Sequence, residues 1–281
     1  MKSSSRKLNR PKTKLRSPDD LMLMLTHTWI LRDFIGGEFI RRKELSDLYV
    51  YNILPDVLPL HEAISAGYTH KAARKGDHPD EFKKARFIDF HLLVDDYAHF
   101  GEGESRPGEF DPDSKGYAYV TGRELHEPLR DIYARSGIEI SLSESAYMCH
   151  VLVEMAFDLS LFEGEEGLLE AMTGAMGFTL ENRLEDFART AGWYYDLEAA
   201  VIEDTLKKAA FLADPDRIRS SMTVGGRTGL FLKKFRNELN QGSRLELESL
   251  FRRAMELTKN KEAFLGDIRG MLQRSGFKAV L

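Results

Sequence analysis

Cysteine is almost missing from this chain: Cys149 is the single one in 281 residues. A disulfide framework is thereby excluded, as is a zinc site built on cysteine, so metal ligands would have to be His, Asp or Glu. No uninterrupted apolar run approaches the ~20 residues a membrane-crossing helix needs. Alternation of apolar and polar residues is scarce, with 138–142 the one short strand candidate, and there is no internal repeat. With 10% aromatic residues and a net charge of −5, disorder is excluded for most of the chain. What is present is 42% hydrophobic residues, enough to build the core of one large domain or two small ones.

The charge is unevenly spread. Residues 1–16 carry Lys2, Arg6, Lys7, Arg10, Lys12, Lys14 and Arg16 and no acid. This reads as a basic disordered arm, able to touch nucleic acid or an anionic membrane. The apolar stretch 21–25 follows Asp19 and Asp20 and has no small-residue cleavage site. It reads as part of a helix, not an export signal, and a cytoplasmic location is the expectation.

Helical signals dominate. Ser17-Pro18-Asp19-Asp20 opens a helix that Gly36-Gly37 would stop. Residues 45–54 suggest a second helix with a turn at Pro55-Asp56, and 79–100 a third closed by Gly101. Residues 101–116 hold four Gly, two Pro and five acids and form an acidic loop insertion. Ser141 and Glu144 make a capping box for a long apolar helix ending near Gly164. Amphipathic stretches then cover 166–188, 193–213, 227–240 and 244–273, with breaks at Gly192, Pro215, Gly225-Gly226 and Gly242. The expected fold is all-α: a metal-binding helical domain over 17–165 and a helical C-terminal region over 166–281.

Two polar stripes interrupt the apolar pattern. His91, Asp95 and His99 stand at i, i+4 and i+8 on one helix face. Eight helical residues rise about 12 Å, so His91 and His99 would serve two different ions, with Asp95 and Asp96 between them. His150 and Glu154 form a second i, i+4 pair among apolar neighbours, with Asp158 one turn further on. A buried carboxylate without a partner is costly, whereas one bound to a metal is not. Asp56 and His70 lie upstream at element ends, and His27 sits on the first helix. Each also has a plainer reading: His27 as a core histidine, Asp56 as a turn residue, His150 and Glu154 as an internal hydrogen-bonded pair. His61, His78 and His126 read as solvated. One dinuclear nitrogen- and oxygen-ligand site accounts for Asp56, His70, His91, Asp95, His99, His150 and Glu154 together.

This order of Asp, His, His-x3-Asp with a further His, then His-x3-Glu, on a helical chain, resembles the zinc-dependent phospholipase C and single-strand nuclease superfamily. The resemblance covers about residues 20–165, and the stretches 52–56, 69–70 and 91–100 look most like bacterial zinc-dependent phospholipase C-like proteins. It implies Zn2+, two ions: Asp56, His70, His91 and Asp95 would match the ligands of the first, and His99, His150 and Glu154 those of the second. His27 could match the family's N-terminal-region His, and Asp95 would bridge. The resemblance further implies hydrolysis of a phosphoric ester, a small phosphoester or a lipid head group, with Asp56 both ligand and the group that deprotonates water. The chain departs from the family in the tight Asp95–His99 spacing, in the insertion at about 100–140, and in Trp29, which lies within a helix and offers no free amine.

Other classes fare worse or remain open. A di-iron carboxylate bundle needs Glu-x-x-His, and no Glu stands three residues before any His. An HD-type phosphohydrolase needs an adjacent His-Asp pair, and there is none. The competing alternative is a non-enzymatic helical protein with a structural or vestigial metal site and a partner surface on 166–281. Homo-oligomerisation through that region is compatible with its apolar stripes.

Overall fold

The computed structural model describes residues 24–36, 42–102 and 112–278. The basic arm expected at 1–16, the helix start expected at 17–20 and residues 103–111 of the expected acidic loop lie outside the described residues. Among those described, every regular element is helical and no strand occurs. The strand candidate at 138–142 is instead irregular up to the Ser141 cap, with Leu142 already the first residue of the following helix.

Four helices make the first half of the core. They are α1 (Met24–Ile35), α2 (Asp47–Val57), the short α3 (Ala66–His70) and α4 (Arg86–Phe100). Helix α2 corrects the sequence reading, because it runs through Pro55 to Val57 instead of turning there. Asp56 thus sits in a rigid last helical turn. Thr69 of α3 donates from Oγ1 to the Pro55 carbonyl (2.8 Å), which pins α3 to the end of α2. Gly101, at φ +69°, ends α4 in the left-handed region where only glycine is unstrained.

Next come α5 (Tyr117–Gly122), α6 (His126–Arg135) and α7 (Leu142–Gly164). The capping box of α7 is fully formed. Ser141 Oγ accepts from the Glu144 amide (3.1 Å), and Glu144 Oε2 accepts from the Ser141 amide (2.8 Å). By length and composition α7 could cross a membrane, yet 78% of its most apolar window is buried inside the fold. Glu154 and Asp158 of its polar stripe face polar partners within the core, as the stripe among apolar neighbours implies.

The remaining helices are α8 (Leu168–Asn182), α9 (Leu184–Tyr195), α10 (Ala199–Lys208), α11 (Pro215–Ser221), α12 (Val224–Phe235), α13 (Gln241–Leu257) and α14 (Lys261–Ser275). Glycines were poor guides to their breaks. Gly225-Gly226 and Gly242 lie inside first turns, because the caps precede them: Thr223 Oγ1 accepts from the Gly226 amide and Asn240 Oδ1 from the Ser243 amide. Pro215 begins a helix with Asp214 as its cap. Gly192 is interior to α9, where a Cβ would press on the Leu197 carbonyl. The actual breaks fall at Arg183 and at Asp196, which takes a positive φ of 56°.

Two apolar clusters hold the fold together. The larger joins α1, α2, α4 and the C-terminal half of α7 to α8, α9, α10 and α14. The smaller joins α5, α6 and the middle of α7 to α12 and α13. Helix α7 belongs to both, and its polar stripe lies at their junction.

Candidate metal centre

Five helices aim side chains at one region. Helix α1 supplies His27, α2 Asp56, α3 His70, α4 His91, Asp95 and His99, and α7 His150 and Glu154. Their ligand atoms fall into three triads, the first two sharing His91: Asp56, His70 and His91; His27, His91 and Asp95; and His99, His150 and Glu154. Within each triad the atoms lie within 4.8 Å of one another.

In the first group His70 Nε2 is 3.2 Å from Asp56 Oδ1 and 3.4 Å from His91 Nε2. His70 is oriented from behind, since its Nδ1 lies 3.0 Å from the Ala66 carbonyl, to which it can donate. That turns Nε2 inward, the backing that metal-bound imidazoles usually have. The His27 ring stacks on His91 with centroids 3.7 Å apart. Asn52 Nδ2 donates to the His27 carbonyl (2.7 Å) and ties α1 to α2 at that point.

In the second group His99 stands between two carboxylates. Its Nε2 donates to Glu154 Oε1 (2.5 Å), and its Nδ1 is 3.4 Å from Asp95 Oδ2. Asp95 therefore touches both groups. Tyr119 of α5 stacks on His150 with centroids 4.5 Å apart. The insertion is anchored here: Ser114 Oγ donates to the His99 carbonyl (2.6 Å), and at Gly116 a Cβ would collide with that same carbonyl. His27, Asp95 and Glu154 also line a narrow pocket whose other walls, among them Val94, Phe157 and Phe264, are mostly apolar.

Burial and pairing split the histidines into two kinds. Burial pushes His91 down to about 3 and holds His27 and His150 below their ordinary value, so these rings are neutral at pH 7. Burial also disfavours charge on His70 and His99, but their carboxylate partners outweigh it. His70 is raised to about 9 by Asp56 and Asp95, and His99 is raised well above its ordinary value by Asp95 and Glu154. Burial opposes ionisation of Asp56 and Asp95 too, yet the surrounding histidines keep both below the usual carboxylate range.

Among the described residues, three buried atoms of the first group and the adjoining His27 have no hydrogen-bond partner: Asp56 Oδ2, His91 Nδ1 and His27 Nδ1. Each would cost about 1–3 kcal/mol if nothing met it. Imidazole nitrogens and carboxylate oxygens without thiolate form a donor set suited to zinc-class ions. The residues present thus fit a divalent ion in each group.

Some expected residues lie elsewhere. Asp96 does not join Asp95; it turns away from the triads and pairs with Arg74 Nη1 (3.2 Å). Successive helical residues project about 100° apart, so only one of that pair can face the centre. Asp158 continues the α7 stripe but meets Thr26 and Arg227 instead. His78 and His126 are not solvated: the His78 side chain is 4% exposed and pairs with Asp89 (3.2 Å), and His126 is 7% exposed. Sequence reasoning also missed Tyr119, from the insertion, and Tyr195, whose buried hydroxyl has no partner. Tyr119 carries no spacing signal, because it reaches the centre only through packing of helices distant in sequence.

Compared with known protein families, with curated proteins and with solved structures, the chain matches none.

Proposed function

We propose that this protein is a metal-dependent hydrolase of a phosphoric ester, using two zinc-class ions in the manner of the phospholipase C and single-strand nuclease superfamily that its ligand order resembles. The observation that carries the reading is the convergence of eight His, Asp and Glu side chains from five helices, with buried ligand atoms left without partners. Asp56, His70, His91 and Asp95 would hold one ion, with His27 beside them, and His99, His150 and Glu154 the other. Bound there, the ions would draw in phosphate oxygens and bring the pKa of an attacking water toward neutrality. Asp56 is the group that takes that water's proton: its carboxylate is ionised, and Oδ2 has no other partner. As the new oxygen–phosphorus bond forms, the ester bond breaks, and the proton leaves with the departing alcohol.

Ligand protonation gives a sign for metal uptake. At pH 7 the metal-free protein carries protons on His70 and His99, while His27, His91 and His150 are neutral. Loading with zinc must expel the first two, so titration calorimetry in buffers of different ionisation enthalpy should report release of about two protons per chain. Uptake without proton release would mean that His70 and His99 are not ligands.

The activity is tested by assaying zinc-loaded protein against phosphomonoesters, phosphodiesters and phospholipids, with and without chelator. Chelator-sensitive turnover of one class is expected. Full metal occupancy with no turnover on any class would favour the alternative of a structural metal site. The two short ion pairs already present, His70–Asp56 and His99–Glu154, are what favours that alternative.

A further inference from the structure

We propose that a second pocket, sharing no residue with the metal centre, binds a small molecule made of an apolar body and an oxyanion head, a phosphate or a carboxylate. The pocket lies between the end of α1, the start of α2 and one face of α8, and its volume is about 460 Å³. Small-molecule sites span roughly 300–1,000 Å³. With no residue in common, this pocket and the phosphoester reading of the metal centre stand or fall separately.

The floor is open because α8 has almost no side chains there. Gly167, Ala171 and Gly174 fall at helical spacing along one side of it, and Phe178 follows one turn later. At Gly174 a Cβ would meet nothing within 4 Å. The opposite wall includes Tyr49 of α2, which is 2% exposed. Its hydroxyl makes no hydrogen bond among the described residues. Buried polar groups are nearly always bonded, so a phenol at a pocket wall with no protein partner points to a polar atom of a ligand.

The charge of the walls selects the head. Arg32 Nη2 is 2.6 Å from Glu165 Oε2, two residues before Gly167, so the guanidinium stands where α8 begins. Glu165 is shared with Lys261 (3.4 Å), which sets two cations against one carboxylate. Gly167 also leaves the first-turn amides of α8 without a side-chain cap. An uncapped helix start beside an arginine suits an anion. Glu170, the acid on the pocket wall, is held by Arg219 Nη2 at 2.7 Å. Lys43, ahead of α2, adds a positive charge 5.6 Å from the Phe178 ring centroid. The Gly and Ala floor between these ends takes the apolar body.

The test is titration calorimetry on the full chain in chelator, so that no bound metal holds the probe, with octyl phosphate, octanoate and octanol below their aggregation limits. At least one of the two anions should bind about tenfold more tightly than octanol, equivalent to about 1.4 kcal/mol, and the tighter of the two identifies the head. Gly174→Leu, which fills the floor, and Arg32→Gln, which removes a cation, should each weaken that anion about tenfold. Tyr49→Phe should weaken it about threefold, with the parent's melting temperature kept. Absence of binding by both anions, or equal affinity for octanol, would overturn the inference. Parental affinity in Gly174→Leu would do the same, because the probe would then sit elsewhere. Should Gly174→Leu fail to fold, Arg32→Gln and Tyr49→Phe decide, and parental affinity in both would overturn it.

Discussion

Asp56→Asn should lower phosphoesterase turnover by about 10²–10⁴-fold while most of the bound metal stays, because the amide keeps the shape and one oxygen but cannot take a proton. The prediction follows from position: Asp56 is in the last turn of α2, stiffened by Pro55, with Oδ1 engaged by His70 and Oδ2 unengaged. Glu154→Ala should behave differently. Its group has His99 and His150 as its other members, so removing the carboxylate should empty that side and leave the Asp56 side loaded. Kinetics and metal content measured on both variants separate chemistry from retention. Near-parental activity in Asp56→Asn, on a substrate the parent hydrolyses, would reduce Asp56 to a structural residue.

Asp158→Ala should destabilise the fold by about 3–5 kcal/mol, the cost of stranding a buried charge. Asp158 is 2% exposed and accepts from the Thr26 amide (2.8 Å) and Thr26 Oγ1 (2.6 Å). Its other oxygen is 3.6 Å from Arg227 Nη2, and Arg227 is 4% exposed. Without the carboxylate, the buried guanidinium loses its counter-charge, and the Thr26 amide and hydroxyl lose their acceptor. The paired change Asp158→Leu with Arg227→Met should recover much of the loss, since no charge then remains buried. Denaturant unfolding in the presence of chelator isolates this effect from metal linkage. A loss under 0.5 kcal/mol, on the order of an ordinary surface substitution, would refute the role given to this network. Because Thr26 precedes His27, Asp158→Ala should also loosen the stacking of His27 on His91.

The helical class was legible because apolar spacing and caps are local signals, and the Ser141 capping box is the clearest instance. The two stripes, His91–Asp95–His99 and His150–Glu154, were legible for the same reason: one helical period brings i and i+4 to one face. Asp96 was misread because adjacency in sequence is divergence on a helix. Arg227 was hidden in a glycine-rich stretch that reads as a break, although Thr223 caps it into the start of α12. Its pairing with Asp158, like the arrival of Tyr119 at the centre, depends on helix packing across long sequence separations. No residue spacing encodes that. Pro55 reads as a stop, whereas the helix gives up the bond a residue there would make to the Tyr51 carbonyl and still carries Asp56 in its last turn.

The proposed function requires that the eight clustered side chains hold metal. Mass-spectrometric metal counting tests it most directly, on protein purified without chelator and again after reconstitution with zinc. About two zinc-class ions per chain are expected, falling to about one in His91→Ala. No stoichiometric metal in the parent, even after reconstitution, would contradict the account.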